Sequence, residues 1–175
     1  SPAKVVILGG GYTGLWTAYR LTEIAPEARI VLLESSSVEQ NLALPFSLEI
    51  DQIPPDVRAR VRGLADEVGL ATRWLTEPAG TLTADALQRT RLAKALALGP
   101  RVLLAEHPNA ALPPEEVPRF AADLAAIAAG RHMAMVVMTA DATFARAVSD
   151  RTLVVHPATG QLTAAGGWRD WLTRR

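Results

Sequence analysis

Lys4-Val5-Val6-Ile7-Leu8-Gly9-Gly10-Gly11-Tyr12-Thr13-Gly14 opens the chain with a short apolar run that breaks into a glycine-rich turn. Residues 14–24 then carry helical spacing through Leu15, Ala18 and Leu21, and residues 29–33 are apolar again. Strand, helix and strand within about 30 residues make a βαβ unit. Gly9, Gly11 and Gly14 fill the three glycine positions of GxGxxG, and Glu34 ends the second strand about 20 residues further on. Each part has a physical task in holding a dinucleotide. Gly9 permits the tight turn, Gly11 lets a pyrophosphate approach the backbone, and Gly14 lets the helix pack near the strand. The helix N-terminus offers N–H groups and partial positive charge to the phosphates, with Gly10, Tyr12 and Thr13 completing the loop. Glu34 would accept hydrogen bonds from a ribose hydroxyl and repel a 2′-phosphate, so NADP is the least favoured dinucleotide. The alternative is a glycine turn that only packs the βα unit.

Outward from this unit, apolar runs keep alternating with helical patterns. Residues 41–81 break the rhythm, punctuated by Pro45, Pro54, Pro55 and Pro78. Within them, residues 56–68 read as a helix with Val57, Val61, Leu64 and Val68 on one face, stopped by Gly69. Residues 84–98 read as a helix capped by Thr83 and stopped by Gly99-Pro100, and residues 102–105 as a strand. Residues 114–129 read as a helix with Glu115 and Glu116 in its first turn and Val117, Phe120, Leu124 and Ile127 as its buried stripe. Residues 133–138 are apolar without alternation, the pattern of a central parallel strand buried on both faces. Leu103, Leu104, Val136 and Val137 are accordingly expected in adjacent central strands, nearly free of solvent. Asp141 should cap a short helix through Val148, and residues 152–155 and 161–164 should flank a terminal hairpin turn. The tail, with Trp168, Trp171 and Leu172, reads as a docking helix or a frayed end.

The fold class that follows is α/β, a mostly parallel sheet with helices on both faces. It is a three-layer arrangement of Rossmann-like or P-loop-NTPase-like type, with a small helical insertion around residues 41–81. A single domain over residues 1–175 is expected: the βαβ at 3–34, a remainder at 36–165 and the tail at 166–175. Chemistry in such folds sits at the carboxyl ends of the strands.

Composition narrows the function. The 175 residues are 49% hydrophobic and 21% charged, and 18 basic and 18 acidic side chains give a formal charge of +0. That balance argues against holding nucleic acid or anionic lipid by bulk charge. No run approaches the ~20 apolar residues of a membrane-spanning helix, so direct membrane insertion is not expected. No signal segment is readable, which makes a cytoplasmic location the expectation. The chain has no cysteine, which removes disulfides, thiolate metal sites and cysteine nucleophiles. His107, His132 and His156 lack the i, i+4 pairing of a zinc helix, and no metal site is expected. Arg58, Arg60 and Arg62 read as a solvated surface, and Met133, Met135 and Met138 as core filling.

Two family resemblances sit side by side. Residues 9–21, GGGYTGLWTAYRL, with residues 29–34, RIVLLE, resemble the amino-terminal βαβ of FAD-dependent oxidoreductases of the amino-acid-oxidase type. That resemblance implies the ADP moiety of FAD or NAD as cofactor, and it covers about a fifth of the chain. From about residue 38 to 165 the chain resembles the back half of an ATP-binding cassette (ABC transporter) ATPase. Val38-Glu39-Gln40-Asn41-Leu42-Ala43-Leu44-Pro45 is similar to the segment after the Q-loop. Leu82-Thr83-Ala84-Asp85-Ala86-Leu87-Gln88-Arg89 is similar to the signature motif and its helix. Arg101-Val102-Leu103-Leu104-Ala105-Glu106-His107-Pro108 resembles the Walker B strand, Asn109 to Pro113 the D-loop, and Val136 to Asp141 the strand leading to the switch histidine.

The departures are chemically severe. No GxxxxGK[ST] occurs in the chain, so the phosphate-gripping lysine and the Mg²⁺-binding hydroxyl have no equivalent. The resemblance puts Thr83, Ala84 and Asp85 in the signature serine and glycine positions, Ala105 in that of the Walker B aspartate, Pro113 in that of the D-loop aspartate and Ala140 in that of the switch histidine. Glu106 alone matches a catalytic role, that of polarising a water, and its alternative is a strand-end carboxylate capping nearby N–H groups. The leading expectation is therefore a nucleotide-binding α/β domain of chimeric character with little or no ATPase activity. It would hold the ADP part of FAD or NAD through Gly9, Gly10, Gly11, Tyr12, Thr13, Gly14 and Glu34, without metal. Three alternatives stand beside it. One is a degenerate ABC-transporter ATP-binding subunit serving as an interaction platform for a membrane-transporter subunit or a homodimer. Another is a fragment of an FAD-dependent oxidoreductase, and the third a recombined or engineered scaffold without evolved function. Whether this chain alone is an enzyme is left open.

Overall fold

The structure, a computed structural model, describes residues 5–7, 19–20, 23–24, 30–32, 36–149 and 151–164. It separates into two compact units, Ser1–Arg101 and Val102–Arg175. The boundary follows Gly99-Pro100, where Gly99 takes a φ of +61°.

In the first unit β1 (Val5–Ile7) pairs in parallel with β2 (Ile30–Leu32), Val5 opposite Ile30. A parallel pair needs a crossover. Tyr19, Arg20, Glu23 and Ile24, all helical, lie in it, with Arg20 Nη1 2.6 Å from Glu23 Oε2. This is the order read from the sequence.

Three helices form the rest of that unit. The first, α1 (Val38–Ala43), escapes the periodicity argument because it is short and runs into Pro45. Its signal is a capping box. Gln40 N donates to Ser37 Oγ at 3.2 Å, and Ser37 N donates to Gln40 Oε1 at 2.9 Å. Val38, Leu42 and Ala43 are fully buried. α2 (Pro55–Glu67) begins with proline at its first position, where the missing N–H would be unpaired anyway, and ends before Gly69 at φ +68°. It buries Val57, Val61 and Leu64, as its periodicity requires. α3 (Ala84–Leu96) is capped by Thr83, whose Oγ1 accepts from Ala86 N at 3.3 Å. Each of the three packs against the other two.

Arg89 ties α3 to α2. It is 2% exposed, its Nε donates to both carboxylate oxygens of Asp85 at 2.9 Å, and its Nη1 donates to the Val68 carbonyl at 2.6 Å. Val68 is the C-cap of α2, so the guanidinium satisfies a helix-end carbonyl and opposes the negative end of that helix dipole.

In the second unit β3 (Val102–Glu106) runs parallel to β4 (Ala134–Met138), in register from Val102 opposite Ala134 to Glu106 opposite Met138. Between them lies α4 (Val117–Gly130), and α5 (Ala142–Val148) packs on α4 with the Phe120 and Phe144 rings stacked 6.4 Å apart. β5 (Leu153–Val155) and β6 (Leu162–Ala164) form the expected antiparallel hairpin, turned by Gly160 at φ +68°.

Two sequence expectations are corrected here. Helix α4 starts at Val117, not Pro114, because a start at 114 would bring Pro118 beyond the first turn, where its ring and missing N–H break the ladder. Glu116 becomes the N-cap and Glu115 precedes the helix. The β3–β4 pair is buried on one face only. Leu103 is 9% exposed, but Leu104 is 69% and Val136 51% exposed, with Val137 half-buried. The described strands form three two-stranded sheets, one in the first unit and two in the second. An unbroken apolar run supplies both faces of a strand with apolar side chains, yet it cannot say which face another element covers.

Removing the Arg89 side chain leaves the Val68 carbonyl and the Asp85 carboxylate without their donor. Arg89→Ala is expected to lower stability by about 3 kcal/mol, the scale for breaking a buried ion pair. Arg58→Ala, which loses an exposed pair to Glu39, should cost under about 1 kcal/mol. Urea midpoints of the two variants check the contrast.

Candidate functional site

Two places carry the chemistry that the sequence singles out, one in each unit. The first is the N-terminus of α3. A helix start attracts anions only when its N–H groups are open and no fixed negative charge precedes the ligand. Here the Thr83 hydroxyl is already engaged with Ala86 N, and Asp85 stands in the first turn. Its carboxylate is in turn held by Arg89, so the two charges neutralise each other. Ala84 and Asp85 also bring side chains to positions where the resembling motif has glycines. At this helix start, then, one N–H group is already capped and a carboxylate paired to Arg89 stands in the first turn.

The second place is the carboxyl end of β3 and β4. The ladder extends one step beyond the strands, with His107 N donating to Met138 O at 2.8 Å. His107 has a φ of +45°, a left-handed backbone that histidine tolerates better than most residues. Beyond it a closed set of side chains joins the two strand-end loops. Asn109 Nδ2 donates to Asp141 Oδ2 at 3.0 Å, Thr139 Oγ1 donates to Asn109 Oδ1 at 3.1 Å, and Asp141 N donates to Thr139 Oγ1 at 3.1 Å. Asp141 Oδ1 also accepts from Thr143 N and Phe144 N, capping α5 as expected. These polar groups satisfy one another and position loops. Glu106 stands apart, exposed at the end of β3, with no hydrogen bond or ion pair to another described residue.

Gly9, Gly10, Gly11, Tyr12, Thr13, Gly14 and Glu34 lie outside the described residues, as do Trp168, Trp171 and Leu172. The three histidines fall apart: His107 follows β3, His132 precedes β4, and His156 sits at the hairpin with Nε2 3.3 Å from Thr163 Oγ1. Among the described residues no group of three or more His, Asp or Glu could hold a metal ion. Arg58, Arg60 and Arg62 are exposed; Arg58 pairs with Glu39 and Arg60 lies 5.5 Å over the Phe46 ring. Met133 is buried, but Met138 is 51% exposed, so the core-filling role does not extend to it. Sequence reasoning missed the Asn109–Thr139–Asp141 set, because nothing local marks residues 30 positions apart as partners.

No protein-family model matches the chain. Among curated proteins it is 34% identical to methionine import ATP-binding protein MetN 1 of Pseudomonas fluorescens over 124 residues, 71% of this chain and 37% of that protein. It is 36% identical to MetN 2 of Burkholderia mallei over 140 residues, 79% of this chain and 34% of that protein. With MetN of Cereibacter sphaeroides it shares 32% over 175 residues, 97% of this chain and 48% of that protein. The chain thus spans about a third to a half of the length of these relatives. The dimeric post-hydrolysis structure of the ATP-binding cassette MJ0796 bound to ADP and Pi superposes with a TM-score of 0.59 at 24% identity, over 70% of this chain and 53% of that one. A second dimeric structure of the same ABC transporter cassette matches equally well. Relatives and structures together point to a chain like an ABC transporter ATPase, with the α/β fold of such a cassette. They give no support to FAD or NAD binding. An alignment over 97% of the chain runs through residues on both sides of position 35, so a chimeric join has no support either.

Asp141 holds both α5 and the Asn109 loop. Asp141→Ala is expected to cost about 1–2 kcal/mol, the upper range for a lost N-cap, and Asp141→Asn clearly less, since its amide oxygen still accepts. Thermal melting of the two variants distinguishes them.

Proposed function

We propose that this chain is the degenerate cassette part of an ABC-transporter ATP-binding subunit. It acts as an interaction platform for a membrane partner or a second cassette on the cytoplasmic side, and it turns over little or no ATP. The observation that carries this reading is the N-terminus of α3. The helix sits in a chain similar to ATP-binding subunits over most of its length, yet its phosphate-facing positions are filled by Ala84 and by an Asp85 locked to Arg89. The absence of GxxxxGK[ST] from the sequence points the same way. No helix among the described residues is long and apolar enough to cross a membrane, so a transporter role would need a separate spanning partner.

In this reading the strand-end acid is Glu106, one residue later than the Ala105 assigned from the sequence. Ala105 lies inside β3 on its half-buried face, whereas Glu106 is the last, exposed residue of the strand. The position of the water-polarising carboxylate then passes to His107, which sits on a left-handed backbone. Neither residue has a gripped phosphate to act on.

The purified chain should release no phosphate from ATP and Mg²⁺ above buffer background, and His107→Glu should not restore turnover. Hydrolysis that Glu106→Gln abolishes would overturn the reading. Crosslinking of the tagged chain in its native cells should recover an integral-membrane subunit or a second cassette; recovery of neither would remove the platform role.

A further inference from the structure

Helix α3 presents Arg91, Lys94 and Ala95 at i, i+3 and i+4 on one side of its surface, and Leu98 in the turn just after the helix extends that side. Facing this side are Leu44, Pro45 and Leu48, from the turn that follows α1. Between them, wholly within the first unit, is an open cavity of about 520 Å³. Its floor and one wall are aliphatic, and Leu48 and Leu98 remain 45% and 76% exposed. Among the described lining residues Arg91 and Lys94 are the charged ones, and both are positive.

Those two cations are not used by the fold. Arg20, Arg58 and Arg89 each have an acidic partner, but neither Arg91 nor Lys94 makes an ion pair or side-chain hydrogen bond among the described residues. Partial burial also pushes the Lys94 ammonium below its usual range, a penalty that a bound anion would relieve.

We propose that this cavity is a binding site for a small anionic amphiphile, a monocarboxylate with an unbranched chain of about eight to twelve carbons. Its chain would lie along Leu44, Pro45, Leu48 and Leu98, with its carboxylate between Arg91 and Lys94. A volume of about 520 Å³ falls within the range of small-ligand pockets, ~300–1,000 Å³. Aliphatic side chains beside two cations in one cavity match the two ends of a small anionic amphiphile. A polyphosphate would leave the aliphatic wall unfilled. The site is independent of the transporter reading, since it involves neither the start of α3 nor the strand ends.

Titration calorimetry of the 175-residue chain with decanoate, decanol and decylammonium tests it. Decanoate should saturate a single site, decanol should bind at least tenfold more weakly, and decylammonium should give no saturable heat. Arg91→Glu, at an exposed position, should weaken decanoate at least tenfold with an unchanged melting curve, and Lys94→Met should do the same while keeping the aliphatic stem. The proposal is overturned if decanoate does not saturate, if decanol binds equally well, or if Arg91→Glu leaves decanoate binding unchanged. Saturation by an acidic amphipathic peptide but not by decanoate would also overturn it, in favour of a protein occupant.

Discussion

A guanidinium removed from water must find acceptors in the protein, and in the first unit that requirement joins two helices. Arg89 cannot lose its proton, so burial at 2% exposure is tolerable only with its donors engaged. Asp85, one turn back on the same helix, supplies one acceptor pair, and the last carbonyl of α2 supplies another. The second acceptor exists only if α2 ends where it does, at Val68 before the left-handed Gly69. The position of α3, the termination of α2 and the charge at the start of α3 are therefore one linked arrangement. The same linkage fixes a carboxylate in the first turn of that helix.

The second unit solves a similar problem without buried charge. Its two strand-end loops are joined by an amide, a hydroxyl and a carboxylate that hydrogen-bond to one another, and the carboxylate also caps α5. A strand end built this way holds its loops in place but offers few open polar groups. Glu106 and His107 are the exceptions, one exposed and the other on an unusual backbone. The likeness to ATP-binding cassettes is seen in the path of the chain.

Arg91 and Lys94 show the opposite economy. They share α3 with Arg89, yet they lie on the other side of the helix, beside an aliphatic cavity and without side-chain partners among the described residues. Three cations on one helix thus have two different fates. The difference comes from which face meets α2 and which meets the turn after α1.

Local grammar by itself determined the existence and type of α2, α3, α5 and the hairpin. Proline starts, glycine stops, Thr83 and Asp141 caps and a 3.6-residue period act within a few residues and need no distant partner. The capping box of α1 was equally local, though too short to register as a period. Only the tertiary structure decided that β3 and β4 are covered on one face, because an apolar run looks the same whether one or both faces are covered. It also decided that Asp85 belongs to Arg89, and that Asn109 belongs to Thr139 and Asp141. Those pairings depend on where separate elements come to rest, and a linear pattern carries no record of that distance.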